Sequence, residues 1–186
     1  RFVYYAKLAE AYKMLSLPDS VIKVTDKAYH MFKENQRYDL ASQTLSSAIT
    51  SLVKCGDTKR ARQYINDDEL YSGYFDKNGN IQKGREVDYY MKGEYFLAIH
   101  EIDSAEFLFR KELRDGKDLN NQIAGCKGLQ KVYEIKRSSD SIAKYANLGY
   151  ILNDSAYSLS EMQNIQKFQA SYNYNHQKIL AEQSAI

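Results

Sequence analysis

Proline is nearly missing from this chain: Pro18 is the only one in 186 residues. Proline removes a backbone donor and clashes with the preceding helical turn, so its scarcity leaves nearly every segment free to be helical and counts against strand-rich architectures. Cysteine is also scarce. Cys55 and Cys126 belong to no C-x-x-C pair and no metal-ligand spacing, and both lie among apolar neighbours in helical register, which predicts two buried free thiols rather than a disulfide. No apolar run reaches the roughly 18 to 20 residues needed to cross a bilayer, and no signal-peptide pattern opens the chain, so this segment is not expected to insert into a membrane. Neither charge dominates: 26 basic and 24 acidic residues are interspersed, for a net of +2, and no polyanion partner is implied. The densest basic group, Lys54, Lys59, Arg60 and Arg62, flanks Gly56-Asp57 and reads as a solvated inter-helix turn rather than a nucleic-acid surface.

Recognisable catalytic and metal-binding patterns are missing too. There is no G-x-S-x-G, no Walker-type glycine loop and no cysteine-nucleophile context. His30, His100 and His176 are far apart and form no H-E-x-x-H. Asp76 to Asn80 has the acidic and amide composition of a calcium loop, but counting from Asp76 puts Ile81 where glycine is required and Val87 where the bidentate glutamate belongs, so it reads as a turn. These absences point away from an enzyme, and no metal or cofactor is expected.

What is present is periodic apolar content, 44% of residues, in a length that suits one domain spanning 1–186. Tyr89, Gly93, Phe96, Ala105 and Phe109 reproduce the pattern W-x2-L-G-x2-Y…A-x3-F, with Tyr89 at the Trp position and Lys92 at the Leu position. The same register fits Leu45, Ala48, Ile49, Leu52, Ala61 and Ile65, and more loosely Tyr5, Leu8, Ala9, Tyr12 and Val21. On these residues the chain resembles a tetratricopeptide repeat (TPR) protein. The resemblance implies an all-α fold, a right-handed α-α superhelix of about four helical hairpins, with approximate repeats at 1–36, 37–70, 86–117 and 119–153. Taking the small-residue position of each first helix as a ruler gives Ala9, Ile49, Gly93 and Gln130, spaced more widely than the standard repeat, with the extra length expected at Ser72-Gly73 and Asp76–Asn80.

Local signals support this register. Asp57 is placed to cap the helix carrying Ala61, and Asp103-Ser104-Ala105-Glu106 reads as a capping box. Gly93 and Ala105 are expected to let two helix backbones meet, with Tyr89, Phe96 and Phe109 filling the space around them. The fourth unit diverges: Cys126, Leu129 and Tyr133 fit its first helix, but the expected alanine falls at Ile142, or at Ala143 after a one-residue insertion. After Asn153-Asp154 a polar helix, 154–184, carries Leu159, Met162, Ile165, Phe168, Tyr172 and Ile179 as an apolar stripe, expected to bury on the preceding unit as a capping helix. The alternative for this stripe is the start of a coiled coil. The 17 tyrosines are read chiefly as packing residues, with Tyr5, Tyr12, Tyr89 and Tyr133 at positions where the repeat asks for an aromatic.

The resemblance implies a non-catalytic scaffold that holds a protein or peptide in a concave groove lined by the first helix of each unit. Helical spacing places Tyr90, Glu94 and Leu97 beside the packing stripe of the third unit, and Lys13, Thr50, Lys54, Lys127 and Lys131 at matching positions elsewhere. The predominance of lysine suits an acidic peptide or a C-terminal carboxylate. Degenerate Tyr- and Asn-rich repeats closing on Gln169-Ala170-Ser171-Tyr172-Asn173-Tyr174 also resemble the extracytoplasmic repeat module of bacterial membrane-anchored regulators. That likeness implies a sensor or docking module, extracytoplasmic rather than cytoplasmic, in a longer protein whose anchor and DNA-binding domain follow the array. The opening Arg1 and an uncapped end at Ile186 also suggest an excised piece. The competing class is a structural module that self-assembles through its C-terminal helix.

Overall fold

The computed structural model describes residues 2–184, with side-chain environments for residues 3–179. The outermost residues of the expected 1–186 domain therefore lie outside the description. Eight helices follow one another: α1 (Phe2–Met14), α2 (Pro18–Glu34), α3 (Tyr38–Lys54), α4 (Thr58–Tyr71), α5 (Val87–Ala98), α6 (Ile102–Asp115), α7 (Leu119–Ile135) and α8 (Ser139–Ser184). The fold is all-α. The only β-type pairing among the described residues is an isolated bridge, Phe75 with Ile81, closing the loop between α4 and α5. In that loop Asp76 Oδ1 accepts the backbone N–H groups of Asn78 and Asn80, a side-chain-stabilised turn.

Five of the seven connections are built alike. Ser16, Gln36, Gly56, His100 and Arg137 each adopt a left-handed conformation just past a helix end, with φ of 56°, 57°, 79°, 63° and 55°. The following residue's N–H returns to a carbonyl five positions back in every case: Leu17 to Tyr12, Arg37 to Phe32, Asp57 to Leu52, Glu101 to Phe96 and Ser138 to Tyr133. This is the Schellman closure, which satisfies orphan carbonyls and reverses the chain in about two residues. Only at Gly56 does the chain use the residue type that enters this region without steric cost.

Each helix packs on the next in sequence, and α1, α3, α5 and α7 also touch in series. The even-numbered helices α2 and α4 meet through long polar side chains: Tyr29 donates to Asp67, Tyr64 donates to Asp26, and Arg60 pairs with Asp26 at 2.6 Å. One apolar core joins α2 to α5 around Leu45, Ile49, Leu52, Ile65 and Met91. A second joins α5 to α8 around Ala105, Phe109, Leu129, Val132 and Tyr145. The Phe109 ring, fully buried, sits where a side chain on Gly93 of α5 or on Gly128 of α7 would collide with it. Gly125 is similarly tight, since a Cβ there would lie 2.7 Å from the Leu113 backbone nitrogen. Gly93 thus opens space for the Phe109 ring, where the sequence suggested contact with Ala105.

Four further expectations are corrected. The capping box at Asp103–Glu106 does not form: α6 starts at Ile102 with Glu101 as an N-cap lacking a side-chain bond, and Glu106 is engaged instead by Tyr133, Arg110 and Lys136. Asp57, by contrast, does accept the Arg60 N–H. Cys55 is exposed at the end of α3, while Cys126 is buried. Of the two positions open at the fourth unit, Ile142 is half-buried and Ala143 is exposed. Finally, no separate capping helix 154–184 exists. The helix beginning at Ser139 runs 46 residues through Asn153-Asp154, because two exposed polar side chains cost a helix little when neither is proline or glycine. Its stripe does not bury on the array: Leu159, Met162, Ile165, Phe168, Tyr172 and Ile179 are all exposed.

The Phe109 seam supplies the test of this packing. Phe109→Ala should lower unfolding free energy by about 3–5 kcal/mol in denaturant titration, because the glycines on both sides have no side chains to refill the cavity.

Candidate functional site

The serial contact of α1, α3, α5 and α7 gives the fold one face made of alternate helices, and a groove of about 320 Å³ opens on it. Lys13 comes from α1, Ser46, Ser47, Thr50 and Lys54 from α3, Val87, Tyr90, Met91 and Glu94 from α5, and Lys131 from α7. Six of the eight residues expected at a binding surface therefore share one cavity: Lys13, Thr50, Lys54, Tyr90, Glu94 and Lys131. Leu97 and Lys127 do not. Leu97, one helical turn beyond Gly93, packs into the second core, and Lys127 stands exposed outside the lining. Ser46, Ser47, Val87 and Met91 were not anticipated, although Ser46 and Ser47 lie four and three residues before Thr50, on the same helix face.

Charge is distributed unevenly along this groove. At the α5–α7 end Lys131 Nζ donates to both carboxylate oxygens of Glu94, at 2.7 and 2.8 Å, so the lysine is already neutralised. Burial opposes the charge on Lys131, but the Glu94 carboxylate outweighs it and holds the ammonium above its usual value. Burial, reinforced by Glu94, likewise raises the Tyr90 phenol. At the α1–α3 end Lys13 and Lys54 have no carboxylate partner among the described residues. The same two lysines border a second cavity of about 170 Å³ with Ser16, Leu17, Pro18, Val21 and Ser51. Thr50 and Ser51 spend their hydroxyl protons on the Ser46 and Ser47 carbonyls, leaving their oxygens as acceptors. Lys13 and Lys54, not these hydroxyls, are what let this end attract an anion, whereas the far end offers a tyrosine ring and a closed ion pair.

The other faces are less available. The cleft between α4 and α6, about 540 Å³, contains Phe96, Phe107 and Leu108, but its charges are committed: Lys92 to Glu69, Asp103 to Lys136 and Arg62 to the face of Tyr95. Arg60 is likewise held by Asp26, so the basic group around Gly56 does not present a joint cationic patch. Among the described residues no three His, Cys, Asp or Glu side chains are arranged to hold a metal, and no described helix is long and apolar enough to cross a membrane. No protein-family model matches this chain, and neither the curated proteins nor the solved structures compared with it yield a match.

Outside the groove lining are buried acids that the sequence did not single out. Glu112 of α6 is fully buried and neither carboxyl oxygen has a hydrogen-bond partner. Burial pushes it up to about 9; the nearby Tyr90 backbone works against this, and Asp88, Glu86 and Asp118 add to it. Asp68 is raised to about 7 by burial and by Asp88, and Asp88 to about 6 by burial, against the pull of Arg85 and Lys92. All three values exceed that of an exposed carboxyl near ~4, so the folded chain retains protons that the unfolded chain has released. The stability these groups contribute is complete below that value and is lost as pH rises through about 6, 7 and 9. Glu112→Met, which keeps the volume and removes the ionisable group, should raise Tm clearly at about pH 8.5 and far less at about pH 4.5. An equal shift at both pH values in paired thermal melts would contradict this assignment.

Proposed function

We propose that this chain is a non-catalytic protein-interaction module, a TPR-like solenoid whose alternate helices grip an extended peptide or a partner segment. The observation that carries the reading is the convergence of Lys13, Thr50, Lys54, Tyr90, Glu94 and Lys131 on one groove, with two of its cations unpaired. A helical hairpin cannot cover its own apolar face and must stack on neighbours, and stacking leaves the side formed by the first helices free for a ligand. Tyr90 at the α5 end supplies apolar contact with a polar tip, while Lys13 and Lys54 supply the charge that orients the ligand. The ligand chemistry that fits is an acidic side chain or a C-terminal carboxylate at the α1–α3 end, followed by an apolar residue over Tyr90.

Within the resemblance to the repeat modules of bacterial membrane-anchored regulators, this segment serves as the extracytoplasmic sensor or docking part of a longer protein. It contacts no nucleic acid itself. Its partner is a protein, and the signal is occupancy of the groove.

Selection from a displayed random-peptide library should enrich acidic or carboxyl-terminal sequences. The double variant Lys13→Glu/Lys54→Glu should weaken the selected peptides by on the order of 10- to 100-fold and flatten their salt dependence. Lys127→Glu, outside the groove, should leave binding within about 2-fold of the parent. A library that enriches nothing, or peptides indifferent to the double reversal, would refute the groove as the binding surface.

A further inference from the structure

The second half of α8 is an interaction surface of a different kind, independent of the groove. Upstream, Tyr145, Leu148, Leu152 and Ala156 lie at steps of three and four residues, and this is the side that packs toward α7, with Tyr145 also reaching Arg110 of α6. The next apolar residues, Leu159, Met162, Ile165 and Phe168, are separated by three residues each. Three residues fall about 60° short of a full turn, so three such steps carry the apolar stripe roughly half-way around the helix. From Ile165 onward the stripe resumes regular alternation: Ile165, Phe168, Tyr172, Asn175 and Ile179, at steps of three, four, three and four. That is a heptad seam, and it points away from the side of α8 that holds the array.

Among the described residues no other helix covers the seam. Ile165, Phe168, Tyr172 and Ile179 are 58%, 74%, 64% and 51% exposed. Between Tyr157 and Ile179 the charged residues are only Glu161, Lys167 and Lys178, too few for ion pairs along the helix surface to sustain it in water. The helix therefore needs cover.

We propose that the cover is a second copy of this chain, packed parallel and in register along Ile165–Ile179 as a two-stranded coiled coil. Three features of the seam favour this occupant. Ile165 and Ile179 take the first core position of the heptad, where β-branched residues suit a parallel two-stranded pair. Asn175 then meets its own counterpart, so the two amides hydrogen-bond, whereas in the antiparallel alignment that keeps Phe168 against Tyr172 it faces Ile165 unpaired. An orphaned buried amide costs more than a rim ion pair returns, so any Glu161–Lys178 attraction in the antiparallel form does not reverse the preference. Of the flanking positions, Asn164, Gln169, Ser171 and His176 carry no formal charge at neutral pH and Lys178 alone does, so little like-charge repulsion opposes the pair. Upstream, Asp154 and Glu161 lie one heptad apart on the seam's side, and their self-repulsion ends the pairing just before Ile165. Because the seam lies opposite α7, the two helical arrays sit on the outer sides of the pair and do not collide.

Sedimentation equilibrium of the chain should show a monomer–dimer transition in the range of about 10–100 µM. Phe168→Glu should leave it monomeric throughout that range, with the thermal melt of the array unchanged. In a Cys55→Ser background, Asn175→Cys should form an inter-chain disulfide rapidly under mild oxidation. A wild-type chain that stays monomeric at about 1 mM overturns the proposal, as does a dimer that survives Phe168→Glu. Cross-linking of Ile165→Cys to Asn175→Cys in a mixture, without Asn175→Cys linking to itself, overturns the parallel orientation.

Discussion

The structure depends on one steric allowance: a full aromatic ring occupies the seam of three helices because two of them lack a side chain there. Phe109 projects from α6 into a space that Gly93 on α5 and Gly128 on α7 leave open, and Tyr90 tilts against it with ring centres 5.6 Å apart. Backbones brought this close exclude water from the seam, and each apolar contact is then made at full packing density. The second core, with Leu129, Val132 and Tyr145, assembles around that ring. A β-carbon at either glycine forces the ring out, and with it the register of α5 on α7.

The register of α5 on α7 also sets the groove. Glu94 lies one residue past Gly93 and Lys131 three past Gly128, so the approach that accommodates Phe109 brings these two side chains to 2.7 Å on the opposite surface. Schellman turns at Ser16, Gln36 and Gly56 extend the same order from α4 back to α1, since each reverses the chain in about two residues. Charge pairing at one end and unpaired lysines at the other thus follow from helix packing, without a dedicated loop. The buried Glu112 comes with the same close packing. Glu112 lies three residues beyond Phe109 and turns inward with it, which explains a carboxyl carried where no partner exists.

The helical character was legible because proline scarcity and three-four spacing act locally. The Gly93–Phe109 pattern was legible because small residues at close approaches leave a compositional mark. The turns were mostly illegible: Gly56 announces a left-handed residue, but Ser16, Gln36, His100 and Arg137 do the same work with side chains that carry no such signal. Of the eight residues that helical spacing named, six line one groove and two lie outside it. Spacing specifies which way a residue faces, and not whether a neighbouring helix already covers that direction, as happens at Leu97. The continuity of α8 through Asn153-Asp154 was missed because turn-forming residues mark a break only when a tertiary contact demands one. Glu112 was overlooked as a charge, yet its position seven residues after Ala105 on the same helix face was a readable warning.

Hydrogen exchange on the intact chain tests the central role of the Phe109 seam most directly. Amides of α5, α6 and α7 should rank among the slowest to exchange, and in Phe109→Ala all three should lose protection together while α2 and α3, in the other core, keep theirs. Loss confined to α6, or spread evenly over the whole chain, would show that the ring does not hold the three helices as a unit.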